Sequence, residues 1–168
     1  MKQLSIHIPV QFTTIDELSP SDRLLVEKAK EMTRHSYAPY SRFCVGAALQ
    51  LADGQVFPGC NQENAAFPVG LCAERSAFFA AGAQAPGVAP VAIAIAAYTA
   101  GAFTAKPVSP CGSCRQALLE AETRYHQPIR VLLYGTEGIY VVQSMAQLLP
   151  LNFDGSELAL DTTTDSTL

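Results

Sequence analysis

The chain has 168 residues, of which 49% are hydrophobic and 15% are charged, and its formal net charge is −4 at pH 7. A charged fraction below the usual ~25%, combined with this apolar content, excludes general disorder. The acidic balance provides no overall basic field and therefore argues against a polynucleotide partner. The longest apolar run, over 88–97, is too short for a bilayer, which takes about 20 residues. With no signal peptide visible, we predict a cytoplasmic protein without a membrane partner.

The length suits one domain, and we predict a single domain over residues 1–155 followed by a flexible tail over 156–168. Ser19, Pro20 and Asp22 form a helix-start signal with proline at the first helical position. The first helix is predicted to run from there to about Ser36. The remaining elements are predicted in this order: strands 45–51 and 56–60, helix 71–83, strand 91–98, helix 112–127, strands 129–134 and 139–142, and a short helix 144–149.

This order predicts an α/β fold, with three layers (αβα) and a mixed sheet of about five strands. The first two strands surround Ala52-Asp53-Gly54, which is typical of an antiparallel hairpin. The later strands alternate with helices and therefore predict right-handed crossovers. Functional sites in such sheets lie where loops meet helices. Two of these junctions carry reactive side chains, at 71–74 and 110–114.

Three cysteines fall at these two predicted helix starts, where the helix dipole and free N–H groups favour thiolates. They are Cys72, Cys111 and Cys114. Three protein ligands with a fourth position open is the layout of a catalytic zinc site, in which the metal lowers the pKa of a bound water to roughly 7. Glu74, two residues after Cys72, is placed to carry protons. We therefore predict one Zn²⁺ per chain with Glu74 as the catalytic acid/base.

Two other interpretations of these cysteines stay open at this point. The Cys-x-x-Cys pair at 111–114 is also found in redox proteins, although a third cysteine with an adjacent acid on another helix disfavours that role. A closed structural zinc site would need Cys44 or Cys60 as its fourth ligand. Both lie in apolar strand contexts, where a free cysteine is usually part of the core.

The combined pattern is Cys-Ala-Glu followed, 36 residues after Glu74, by Pro-Cys-x-x-Cys. This is the signature of zinc nucleobase deaminases, with cysteine in the first ligand position. From about Leu18 to Phe153 the sequence resembles the small cytidine deaminases that use three cysteine ligands. The segments that carry the resemblance are Tyr37–Leu49, Gly59–Ala65, Leu71–Arg75, Pro110–Gln116 and Leu148–Leu151.

The resemblance implies a role for each matching residue beyond the ligands and Glu74. Asn61 and Glu63 match positions that hold the sugar hydroxyls, and Phe43 matches an aromatic that packs on the pyrimidine. Arg75 matches an arginine that donates to ligand sulfurs, which would offset the −1 sum of three thiolates on Zn²⁺. Phe153 matches an aromatic that a neighbouring subunit supplies to the site.

The resemblance further implies hydrolytic deamination of cytidine and deoxycytidine to uridine and deoxyuridine with release of ammonia, in pyrimidine salvage. It implies a homotetramer with shared active sites. Three alternatives remain. The first is a deaminase of another amine, such as a blasticidin-type antibiotic or a modified nucleoside. The second is a polynucleotide editor, and the third is a non-enzymatic zinc module. Asn61 and Glu63 argue against the antibiotic, and the short acidic chain argues against the editor. The zinc module predicts a closed metal site and no turnover.

Overall fold

The structure is a computed structural model that describes residues 1–158. It contains a seven-stranded mixed sheet with the strand order β1-β7-β6-β4-β2-β3, and β5 pairs with β4 outside this path. The strands are β1 Gln11–Thr13, β2 Cys44–Leu51, β3 Val56–Cys60, β4 Pro90–Thr99, β5 Ala102–Phe103, β6 Arg130–Gly135 and β7 Gly138–Val142. The helices are α1 Pro20–Met32, α2 Ala73–Gln84 and α3 Gly112–Tyr125, with short 3-10 turns at Ile15–Glu17, Thr33–His35, Phe67–Val69, Met145–Leu148 and Gly155–Leu158.

The prediction of an α/β fold with a mixed sheet is confirmed, but the prediction of about five strands is wrong. The two additional strands are the shortest, with three residues in β1 and two in β5. The turn before β5 is made by Ala100 and Gly101, both at positive φ, which is not one of the strong hairpin signals. The predicted tail lies outside the described residues from residue 159 onward.

Helices cover both faces of the sheet because the central strand, β4, is apolar on both faces. Its small side chains lie on one face and its large ones on the other. In β4, Ala92, Ala94 and Ala96 face the cluster that includes α1, whereas Ile93 and Ile95 face the cluster that includes α2 and α3. All five of these residues are fully buried. A strand that is apolar on both faces is expected at the centre of a covered sheet, and β4 lies between β2 and β6.

Two glycines bring helices into direct contact with the sheet backbone. A Cβ on Gly46 in β2 would lie 2.1 Å from the Ala29 carbonyl oxygen of α1. A Cβ on Gly59 in β3 would lie 2.3 Å from the Ala73 carbonyl oxygen. Since Ala73 is the first residue of α2, the second contact fixes the start of that helix against the sheet.

The starts of α2 and α3 lie at the same edge of the sheet for a topological reason. Strands β3 and β4 both pair antiparallel with β2, so their carboxyl ends point the same way. Helix α2 follows β3 and helix α3 follows β4. The two cysteine-bearing junctions are thereby brought together, as expected for sites in open α/β sheets.

Candidate metal centre and adjoining cavities

The three predicted ligands meet between the two helix starts. Cys72 and Cys111 are the N-cap residues of α2 and α3, and Cys114 lies in the first turn of α3. The Sγ atoms are 3.7 Å apart between Cys72 and Cys111 and 3.5 Å apart between Cys111 and Cys114, and all three lie within 4.8 Å of one another. A tetrahedral zinc ion with bonds of about 2.3 Å requires sulfurs roughly 3.8 Å apart. The donor set therefore fits zinc in type and in spacing.

The ionisation of the sulfurs also favours binding of a divalent metal ion. The neighbouring Cys114 thiol and the Arg75 guanidinium lower the pKa of Cys72 to about 5. The same contact and burial raise the pKa of Cys114. Two adjacent sulfurs therefore do not both ionise without a counter-charge, and a divalent cation supplies that charge to a thiolate site.

Glu74 lies beside this cluster and is 4% exposed. Burial raises the pKa of its carboxyl above the ordinary value, and the nearby Cys72 thiolate acts in the same direction. A carboxyl in such surroundings is suited to proton transfer near neutral pH. Arg75 contacts the cluster from the same helical turn, with its Nη2 3.8 Å from Cys72 Sγ.

Cys44 and Cys60, the other candidate ligands, are free thiols outside the metal-competent group. Cys60 donates to the His35 carbonyl at 3.3 Å. This arrangement removes the interpretation of a closed four-cysteine site. The three sulfurs together also disfavour a simple redox pair.

A small cavity of about 210 Å³ is lined by Cys72, Cys111 and Glu74. Phe43 and Asn61, both predicted site residues, also line it, together with Ser109 and Ile95. Ser109 was not singled out from the sequence, although its position directly before Pro-Cys is a usable signal. We call this space the inner cavity.

A larger space of about 530 Å³ adjoins it, and we call this the outer cavity. Glu63, Ser41, Tyr40 and Phe67 contribute to its lining, and Asn61 and Cys72 border both cavities. The Ser41 hydroxyl lowers the pKa of the Glu63 carboxyl, so this group is ionised at neutral pH.

Phe153 lines neither cavity and does not belong to the sulfur cluster, unlike Cys114, which is part of that cluster, and Arg75, which contacts it. Phe153 is 62% exposed, and its backbone carbonyl accepts a hydrogen bond of 3.0 Å from Gln116 Nε2. Its predicted contribution to a neighbouring subunit stays a prediction.

Fold and site together define a class: an α/β protein with a three-thiolate zinc centre beside a buried carboxyl and a small cavity. A sequence model described as the cytidine and deoxycytidylate deaminase zinc-binding region matches residues 19–127. The cytidine deaminase of Sporosarcina psychrophila is 40% identical over 136 residues, which cover 80% of this chain and 93% of that protein. The cytidine deaminase of Halalkalibacterium halodurans is 37% identical, with 81% and 96% covered.

Solved structures agree with these relatives. The crystal structure of cytidine deaminase from Burkholderia pseudomallei has 42% sequence identity and a TM-score of 0.65, and the match covers 77% of this chain and 97% of that one. The Mycobacterium leprae cytidine deaminase has 34% identity and a TM-score of 0.61, covering 79% and 99%. The chain belongs to the cytidine and deoxycytidylate deaminase family. The predictions of a zinc cofactor and of this enzyme family are confirmed.

Proposed function

We propose that this protein deaminates cytidine and deoxycytidine to uridine and deoxyuridine with release of ammonia. The observation that carries the proposal is the inner cavity, in which two members of the zinc-competent group, Cys72 and Cys111, border one small space together with the buried Glu74 and with Phe43. That space suits a single flat base. The adjoining outer cavity has room for a sugar.

The chain's own residues divide the chemistry. Zinc held by Cys72, Cys111 and Cys114 supplies a Lewis acid that lowers the pKa of water to roughly 7. Glu74 takes a proton from the attacking water, delivers it to N3 of the pyrimidine, and later helps to protonate the departing ammonia at C4. Its buried position and raised pKa suit it to hold that proton between steps.

Phe43 packs on the base, while Asn61 and Glu63 bind sugar hydroxyls at the outer cavity. A carboxylate offers about four acceptor positions. Three donors already reach Glu63: the N–H groups of Tyr40 and Ser41 and the Ser41 hydroxyl. One acceptor position therefore remains for a ribose hydroxyl.

The charges around the cavities favour a nucleoside over a nucleotide. Among the described residues that line the two cavities are Glu63 and Glu74, and neither lysine nor arginine is among them. A phosphate beside the sugar in the outer cavity would therefore meet the Glu63 carboxylate and no lysine or arginine among the described lining residues. The same argument disfavours a polynucleotide substrate, in keeping with the net charge of −4.

We also propose a homotetramer with shared sites, in the cytoplasm and serving pyrimidine salvage. Exposed apolar residues near the outer cavity support the assembly, since Phe67 is 73% exposed and Val69 is 66% exposed. Phe153 would then contribute its ring to the site of a neighbouring copy.

None of the helices within residues 1–158 is long and apolar enough to cross a membrane.

The test is a substrate panel. Zinc-loaded protein is mixed separately with cytidine, deoxycytidine, cytosine, CMP and blasticidin S, and the ultraviolet change that accompanies loss of the amino group is followed. We expect turnover of the two nucleosides and little of the other three. Preferential turnover of blasticidin S or CMP would contradict the proposal, and light scattering on the same sample tests for four chains.

A further inference from the structure

The backbone of Phe43 is held on both sides by polar side chains of the site. Its N–H donates to Ser41 Oγ at 3.0 Å, and its carbonyl accepts from Asn61 Nδ2 at 2.9 Å. Asn61 Oδ1 in turn accepts from the Val45 N–H at 2.8 Å. The placement of Phe43 at the inner cavity therefore depends on these side chains.

Ser41 connects this arrangement to Glu63. Its hydroxyl accepts from the Phe43 N–H and donates to Glu63 Oε1 in a short hydrogen bond. Glu63 Oε2 accepts from the Tyr40 N–H at 2.9 Å and from the Ser41 N–H at 3.3 Å. One serine hydroxyl thus joins the carboxylate of the outer cavity to the aromatic residue of the inner cavity.

The turn at Ser41 and Arg42, which leads into Phe43, is not stabilised by the backbone preferences of its own residues. Arg42 has φ of 56°, a left-handed conformation that is unfavourable for a residue with a Cβ. Thr99 Oγ1 donates to the Arg42 carbonyl at 3.2 Å. Such a turn keeps its shape only while the surrounding contacts persist, so loss of one contact is expected to move Phe43.

We propose that Ser41 is a positioning residue that holds Glu63 and Phe43 in register, so that a sugar bound at the first places its base against the second. The proposal rests on the proposed function, because it assigns Ser41 a part in the binding of the same nucleoside. Ser41 acts through its two neighbours and needs no contact with the substrate.

The chain contains a matched control for this arrangement. Ser144 Oγ donates to Glu122 Oε2 at 2.9 Å and accepts from the Ala146 N–H, two residues on, at 3.1 Å. Ser144 and Glu122 therefore repeat the serine–glutamate arrangement of Ser41 and Glu63 in a part of the fold that borders neither cavity.

The experiment compares Ser41→Ala, Ser41→Thr and Ser144→Ala with the wild type, all with zinc content measured. We expect Ser41→Ala to lower kcat/KM for cytidine by about tenfold, the scale of one hydrogen bond to a charged group. The dissociation constant for uridine, measured by calorimetry, should rise in parallel. Ser41→Thr keeps a hydroxyl and should recover most of the loss, whereas Ser144→Ala should change melting temperature but not kinetics or binding.

A double-mutant cycle decides whether Ser41 acts through Glu63. The double variant Ser41→Ala/Glu63→Ala should lose less than the product of the two single losses, because each single variant already removes the contact between the two side chains. Losses that simply multiply, or Ser41→Ala kinetics equal to those of Ser144→Ala, would overturn the proposal about Ser41 alone. A zinc-loaded wild type that neither turns over cytidine nor binds uridine would instead overturn the proposed function.

Discussion

The starts of α2 and α3 use the same backbone position for different chemistry. Each helix has a cysteine as its N-cap, Cys72 in α2 and Cys111 in α3. Three residues further on, α2 carries Arg75, which contacts a sulfur, and α3 carries Cys114, which is the third sulfur. Only the α2 start adds a buried acid, Glu74, next to its cysteine.

The arginine that follows the sulfurs in α3 has a different task from its counterpart in α2. Arg115 donates to the Pro110 carbonyl at 2.8 Å and to the Leu148 carbonyl at 2.6 Å, and so ties the turn before Cys111 to the C-terminal segment. On the proposed function, both helix starts hold the metal and the α2 start also carries the acid–base group, Glu74. Variants of Cys111 or Cys114 should therefore empty the site, whereas variants of Glu74 should separate metal binding from turnover.

The largest effect is expected at the ligands of α3. Cys111→Ala or Cys114→Ala should lose zinc, activity and stability together, because metal binding is coupled to folding. Metal analysis should find one zinc per chain in the wild type and almost none in either variant. Full activity in a zinc-free preparation would contradict this role.

Glu74→Gln should separate the two functions. The amide keeps the shape but cannot transfer protons, so we expect full zinc content and a loss of at least ~10²–10⁴-fold in kcat, the usual scale of general acid–base catalysis. Steady-state kinetics beside metal analysis check this. Turnover within a few-fold of the wild type would remove Glu74 from the mechanism.

Glu63 lies outside both helix starts, so Glu63→Ala should leave both of them intact. We expect kcat/KM for cytidine to fall about 10- to 150-fold at full zinc content, because a charged acceptor of a sugar hydroxyl is lost. Asn61→Ala should also lower kcat/KM, but this variant additionally loses the hydrogen bonds to the Phe43 carbonyl and the Val45 N–H, so its loss does not report on the sugar contact alone. Unchanged kinetics for cytidine and deoxycytidine in folded, zinc-loaded Glu63→Ala would defeat the sugar assignment.

The two arginines give the smallest effects and the sharpest contrast. Arg75→Met removes the cation beside Cys72 and should weaken zinc retention against a chelator by about 10- to 100-fold, as for other groups that support metal ligands. Arg115→Met leaves two carbonyls without their donor and should mainly reduce the free energy of unfolding, by roughly 1–3 kcal/mol. If both variants affect zinc retention equally, the two helix starts do not differ as described.

The sequence predicted the parts of the fold whose signals are local. Pro20 and the N-cap Ser19, whose hydroxyl accepts from the Asp22 N–H at 3.1 Å, marked the start of α1 correctly. The sequence-based assignment omitted β1, an edge strand of three residues with one neighbour, because so short a segment has little periodicity.

The site shows the same division between local and distant information. The three metal ligands could be predicted from the sequence because two short motifs contain them. The hydrogen bonds of Asn61 and Glu63 to residues about 20 positions earlier were not, because they depend on how the turn before β2 folds. Ser41 lies within one of the segments that carry the family resemblance, but its link to Phe43 and Glu63 depends on the three-dimensional fold.

The most direct test follows cytidine deamination by one preparation through removal and return of zinc. Protein with one zinc per chain is assayed, stripped with a chelator, assayed again, and reloaded with one equivalent of zinc. We predict that uridine and ammonia form in equal amounts, that the reaction stops when zinc is removed, and that it returns when zinc is restored. Uridine formation that continues unchanged in zinc-free protein would contradict the account.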